Sequence, residues 1–186
     1  MRRWFALSAI GGDRPGIVAD LAELIYESDC NLEDSSMTIL GSEFAVLLLL
    51  SGEAPDLERR LATGCKRLEW EKRLTVFFRP LDGDPSATAP GRRTVGMECE
   101  VNGVDKAGIV ARVSRTLADH GVNITALQTQ SRPGPETGTP MFTMRIRMAV
   151  PAEVDRVALR ERFERVAADL RVDLSLRELG QTPSAR

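Results

Sequence analysis

Two short stretches carry residue types that can do chemistry, and they are near copies. Asp13-Arg14-Pro15-Gly16-Ile17-Val18-Ala19 returns as Asp105-Lys106-Ala107-Gly108-Ile109-Val110-Ala111, 92 positions on. The same offset carries Asn31-Leu32 onto Asn123-Ile124. Each stretch follows an apolar-rich run and precedes a helical pattern, which reads as strand, tight turn and helix start. The first N–H groups of such a helix point outward with a partial positive charge, and they suit a carboxylate or a phosphate. Asp13 is an N-cap residue type, Pro15 fits the first helical turn, and Gly16 lets another backbone or a small ligand come close. The alternative is a capped turn and nothing more, since duplication copies caps as well as sites. The three-glycine dinucleotide fingerprint is absent, and so is the Lys-Ser/Thr ending of a phosphate loop.

The remaining reactive types point nowhere together. Cys30, Cys65 and Cys99 are far apart, no C-x-x-C occurs, and His120 is the only histidine. Neither a zinc site of the usual kind nor a disulfide framework is expected, no cofactor is called for, and a reducing cytoplasm fits. A net charge of -2 with scattered basic residues leaves no electrostatic footprint for nucleic acid. Met1-Arg2-Arg3 and the apolar run after it faintly resemble a signal peptide. The run is short, though, and Asp13-Arg14 stands where a small-residue cleavage site belongs. Phe44 to Leu50 is too short to span a bilayer, so no membrane is expected as a partner.

Two units of roughly 80 residues imply duplicated domains rather than a short-repeat solenoid. The first runs over 1–80 and the second over 94–179, with a Pro/Gly/Ser linker at 81–93 and a disordered tail at 180–186. Within the first, strands are expected at Arg3–Gly11, Leu32–Leu40, Phe44–Leu50 and Leu74–Phe78. Helices are expected at Gly16–Ser28 and from Pro55 past Leu68. The second repeats the order, with strands at Val95–Val101, Ile124–Ser131, Phe142–Val150 and Val172–Leu176 and helices at Gly108–His120 and Val154–Leu170. A longer loop over Arg132–Pro140 moves the offset to 98, so Phe44 then maps onto Phe142 and Leu61 onto Leu159. The fold class is α+β: two ferredoxin-like βαββαβ domains in tandem, each an antiparallel sheet with helices on one face and strands one and three at its centre.

The other face of each sheet differs between the copies. In the second, Glu98 and Glu100 alternate with apolar residues on strand one, as do Arg145 and Arg147 on strand three, which sets two solvated acids beside two bases. In the first, Ala45, Leu47 and Leu49 alternate with Val46, Leu48 and Leu50, so both faces of strand three are apolar. That open face is expected to be covered by another unit or another chain.

The repeat, the Asp-x-x-Gly-Ile-Val turn and the following asparagine resemble the ACT domain, a small ligand-sensing module. Ala9 to Val18, Cys30-Asn31-Leu32-Glu33-Asp34-Ser35, Leu40-Gly41-Ser42-Glu43-Phe44 and Leu49-Leu50-Ser51-Gly52 are similar to the glycine cleavage system transcriptional repressor family, whose members are two ACT domains. The second copy departs at Ala107, where the first has proline, and it lacks a glycine matching Gly12. The resemblance implies a regulator that senses glycine or another small amino acid and acts through a protein partner, a transcriptional activator. It also implies a homo-oligomer with the ligand between two units. Carried over by position, the ligand-binding residues are Asp13, Arg14, Pro15, Gly16, Ile17, Val18, Asn31 and Leu32. In the second copy they are Asp105, Lys106, Ala107, Gly108, Ile109, Val110, Asn123 and Ile124. Helix N–H groups would take the carboxylate, and Asp13 or the Asn31 side-chain carbonyl would take the ammonium. Asn31 could equally serve a left-handed turn after the helix, and Arg14 and Lys106 could be solvated.

Other functions compete with this reading. An enzyme is disfavoured because these residues leave no catalytic domain to spare and no acid–base pair. Direct DNA binding is disfavoured because no separable helix-turn-helix or basic face is present. A dimerisation module without a working ligand site, or a regulatory fragment acting on a metabolic enzyme, stays open.

Overall fold

Alternation sets the first strand. In β1, Arg3–Gly12, the residues Phe5, Leu7 and Ala9 are fully buried, while Ile10 on the opposite face is 51% exposed. The structure is a computed structural model and describes residues 1–85, 93–134 and 138–179. Residues 86–92 of the linker expected at 81–93, and the tail at 180–186, lie outside the described residues. The chain divides into two compact units, Met1–Thr88 and Ala89–Arg186.

The first unit continues with α1 (Ile17–Glu27), β2 (Asn31–Leu40), β3 (Glu43–Gly52), α2 (Leu57–Lys72) and β4 (Thr75–Leu81). Its sheet has the order β2-β3-β1-β4 and is antiparallel throughout. Ile17, Leu21, Leu24 and Ile25 of α1 and Leu57, Leu61, Cys65 and Leu68 of α2 recur at helical spacing. Those stripes close one core with Phe5, Leu7, Phe44, Val46, Leu48 and Leu50. The two helices come close at Gly64, where an added Cβ would stand 1.9 Å from Leu24 Cδ1.

The second unit repeats the plan with β5 (Thr94–Val104), α3 (Ile109–Asp119), β6 (Asn123–Pro133), β7 (Pro140–Pro151), α4 (Arg156–Leu170) and β8 (Asp173–Glu178), in sheet order β6-β7-β5-β8. Both central strands of each sheet are those the sequence reading places there. Asp155 caps α4 by accepting from Val157 N (2.8 Å) and Ala158 N (3.2 Å). No described helix is long and apolar enough to cross a membrane.

The open faces follow the pattern read from sequence, with one correction. Glu98 stands opposite Arg147 and Glu100 opposite Arg145. Glu98 is not solvated, however: only 2% of it is exposed, beneath the guanidinium groups of Arg145, Arg147 and Arg177. Arg177 is paired across β5/β8 with Glu98 and completes the cluster. Its hydrogen bonds to Glu98, then those of Arg147, hold the Glu98 carboxyl below the usual carboxylate range. The first unit's open face instead shows Ile10, Leu47 (58%) and Phe77 (65%) to solvent.

Candidate functional site

Each repeated turn delivers the chain from the end of a central strand to the start of a helix. Gly16 is the N-cap of α1 at φ 92°, and Gly108 is the N-cap of α3 at φ 94°. That left-handed conformation explains why glycine stands there: a Cβ would be strained by the backbone angle although space is open around it. Neither glycine offers a side-chain cap, so the N–H groups at the foot of each helix have no internal side-chain partner at the cap. The first intrahelical bonds run from Asp20 N to Gly16 O and from Arg112 N to Gly108 O, both 2.9 Å.

The N-cap role expected of Asp13 is therefore corrected. Asp13 lies three residues before the cap, and its backbone N–H donates to Ser42 O at 2.7 Å, which ties the turn to the β2–β3 hairpin. Asp105 N donates likewise to Pro140 O at 2.8 Å, and its carboxylate accepts from Ser131 Oγ at 2.6 Å. Pro15 also sits before the helix rather than in its first turn. Ile17 and Ile109 are 2% exposed and belong to the cores, so only their backbone N–H groups face the turn; Val18 is exposed.

Arg14 is held rather than free. Its Nη2 lies 2.8 Å from Asp20 Oδ2, Lys72 Nζ lies 3.1 Å from Asp20 Oδ1, and Arg14 Nη1 donates to Pro15 O at 3.3 Å. The hydrogen bond from Arg14, then that from Lys72, holds the Asp20 carboxyl below its ordinary value. A shallow crevice beside the turn is lined by Gly12, Arg14, Glu71, Lys72 and Arg73. Asp20, Lys72 and Arg73 escaped the sequence reading, which followed only positions common to both copies. The usable signal was a difference: the counterpart of Asp20 is Arg112, so Lys106 has no matching anchor, and Arg112 turns to Asp169 at 3.9 Å.

Asn31 and Asn123 open the edge strands β2 and β6. The left-handed turn after each helix is made by Asp29 (φ 60°) and Gly121 (φ 66°), so Asn31 is not needed there. Asn31 pairs with Ser51, which pairs with Trp4, whereas the Asp13 turn leaves the sheet beyond Gly12. Eight residues of β1 separate those rows, about 26 Å at strand rise. In the second sheet Asn123 pairs with Ala149 and that with Gly96, equally far from Val104. One unit thus keeps the turn at one end of its sheet and the asparagine at the other. Turn and asparagine can share a ligand only if two units contribute.

Other chemistry is poorly served. Burial pushes the thiols of Cys30 and Cys65 up to about 11 and that of Cys99 up to about 12, so none is a thiolate near neutral pH. No group of three potential metal ligands occurs among the described residues.

The fold and the repeated turn define a pair of regulatory modules: residues 4–79 and 97–168 each match the ACT domain, and the chain belongs to that family. Among characterised relatives, the glycine cleavage system transcriptional repressor of Escherichia coli (strain K12) is 24% identical over 178 residues, spanning 94% of this chain and 90% of the relative. A crystal structure of an unknown protein from Galdieria sulphuraria superposes with a TM-score of 0.77 at 28% identity, covering 97% of this chain and 100% of that one. A crystal structure described as a candidate glycine cleavage system transcriptional repressor gives a TM-score of 0.75 at 23% identity, covering 97% and 99%. Two ACT domains and this kinship support a regulatory role.

Proposed function

We propose that this chain is a cytoplasmic, non-catalytic sensor of a small amino acid, glycine or one close to it in size. In this reading it controls transcription of glycine cleavage or related amino-acid metabolism by contact with a protein partner, a transcriptional activator, rather than by touching DNA. The observation that carries the reading is the pair of glycine-capped turns, at φ 92° and 94°, each presenting helix N–H groups that no cap side chain occupies. A carboxylate seated there gains charge-assisted hydrogen bonds, and an asparagine from the start of a facing β2 or β6 can take the ammonium. Because turn and asparagine lie far apart within a unit, ligand binding in this reading favours association of units. That linkage is the physical means by which an amino acid could alter contact with a partner. The chain is further read as self-associating, with the ligand between units.

The test is thermal unfolding of the full chain against each of the common amino acids. A ligand at about 100 times its dissociation constant adds about 2.7 kcal/mol of stability. The reading expects that gain from glycine or a near neighbour, and its loss in Asp13→Ala and Asn31→Ala. No gain from any amino acid would refute it. One specific observation favours a second reading for the second unit alone. Ala107, Val104 and Arg112 replace Pro15, Gly12 and Asp20 there, which fits an association module without a ligand.

A further inference from the structure

We infer that two copies of this chain pair face to face through the open face of the first sheet, about a two-fold axis running along its strands between β1 and β3. This rests on the reading of the chain as self-associating and names one surface that does so. Because the axis keeps each row level with itself, the turn and the partner copy's asparagine stay at opposite ends, so this contact is distinct from the one that would share a ligand. The registers fix which side chains share each row across β2-β3-β1-β4. The rows are Thr38, Ala45, Ile10, Thr75; then Ser36, Leu47, Ser8, Phe77; then Asp34, Leu49, Ala6, Arg79.

Sheets packed face to face keep their strands within about 30° of each other and stand about 10 Å apart, with inner side chains interdigitating. The stated axis lays each row on the same row of the second copy with left and right exchanged. Every large residue then meets a small one. Ile10 faces Ala45, Leu47 faces Ser8, Leu49 faces Ala6, and Phe77 faces Ser36. At the ends of the third row Asp34 faces Arg79, twice per dimer. Both are exposed, so neither charge is already committed to the core of its own unit. The face is thus complementary to itself in shape and in charge, as an isologous interface must be. It also answers the exposure of Leu47 (58%) and Phe77 (65%), which a lone unit leaves in water. A face like that of β5–β8, with Glu98 beneath three arginines, would have to shed the water around those arginines against leucine and phenylalanine.

Sedimentation velocity of the full chain over a range of micromolar concentrations reads the result. The wild type runs as a dimer. Leu47→Asp runs as a monomer with an unchanged circular dichroism spectrum. Asp34→Arg sets arginine against Arg79, and Arg79→Asp sets aspartate against Asp34; each raises the dimer dissociation constant by at least about tenfold. The double variant Asp34→Arg/Arg79→Asp restores the pairing and the wild-type constant. A monomeric wild type overturns self-association and this face together. A dimer indifferent to Leu47→Asp, or single reversals the double variant does not rescue, overturns this face alone and leaves self-association standing.

Discussion

Replacing Gly16 by alanine isolates the backbone requirement of the turn. The residue sits at φ 92°, ψ -7°, and the nearest atom to an added Cβ is Arg14 Nη1 at 3.9 Å. Steric crowding therefore contributes nothing, and the whole cost is the left-handed backbone, about 1–2 kcal/mol for a residue bearing a Cβ. Gly12 supplies the control. It also has no neighbour within 4 Å of a built Cβ, but it lies in β1 and its φ is not positive. Gly12→Ala should be neutral, or stabilising by about 0.4–1 kcal/mol through the unfolded chain. Differential scanning calorimetry of the full chain reads both variants. For a unit of this size each kcal/mol moves the midpoint by about 4–8 °C, so the transition involving the first unit should fall by several degrees in Gly16→Ala. Gly108→Ala should do the same to the second. Equal midpoints for Gly16→Ala and Gly12→Ala would show that the turn does not hold its left-handed form, and the account of the helix foot would fail with it.

Four further outcomes are expected. Gly64→Val drives a branched side chain into Leu24 Cδ1, which already lies 1.9 Å from a built Cβ, and should cost at least about 1–3 kcal/mol by urea unfolding. Asp155→Ala removes the acceptor for Val157 N and Ala158 N and should cost about 1 kcal/mol, confined to the second unit. Glu98 has a folded carboxyl pKa below its unfolded one, so its contribution is complete above the unfolded value and is lost as pH falls through the folded value. Acid melts should show the second unit weakening in that window, and Glu98→Gln should flatten the dependence. Cys65 and Cys99, with thiols pushed up to about 11 and about 12, should resist a thiol reagent near neutral pH in the native protein and react in urea.

The repeat made most of the fold legible, because a stripe such as Leu57, Leu61, Cys65 and Leu68 has one sensible helix to sit on and one face to bury. The alternation of Glu98 and Glu100 with apolar residues likewise placed two acids beside Arg145 and Arg147 on the open face, while the register between them came only with the strand pairing. Burial of Glu98 was not legible, since it depends on Arg177, 79 positions away, closing over it. At the turn, residue type misled. Asp13 looks like a cap, yet a glycine already takes the cap position in left-handed form, and nothing in a single sequence distinguishes the two ways of starting a helix. The Arg14–Asp20–Lys72 cluster was not legible from the repeat because it belongs to one copy only, with Arg112 at the counterpart of Asp20. Asn31 at the far end of the sheet from the turn could be worked out only once the strand pairings were known.

In the proposed site, the amides at the foot of the leading helices receive an amino acid together with the asparagine of a facing unit. Amide chemical shifts of the full chain during a titration with glycine test it most directly. Saturable shifts are expected at Gly16, Ile17 and Val18 together with Asn31, on one binding curve and lost in Asp13→Ala. Shifts confined elsewhere, or none from glycine or any amino acid of similar size, would contradict it.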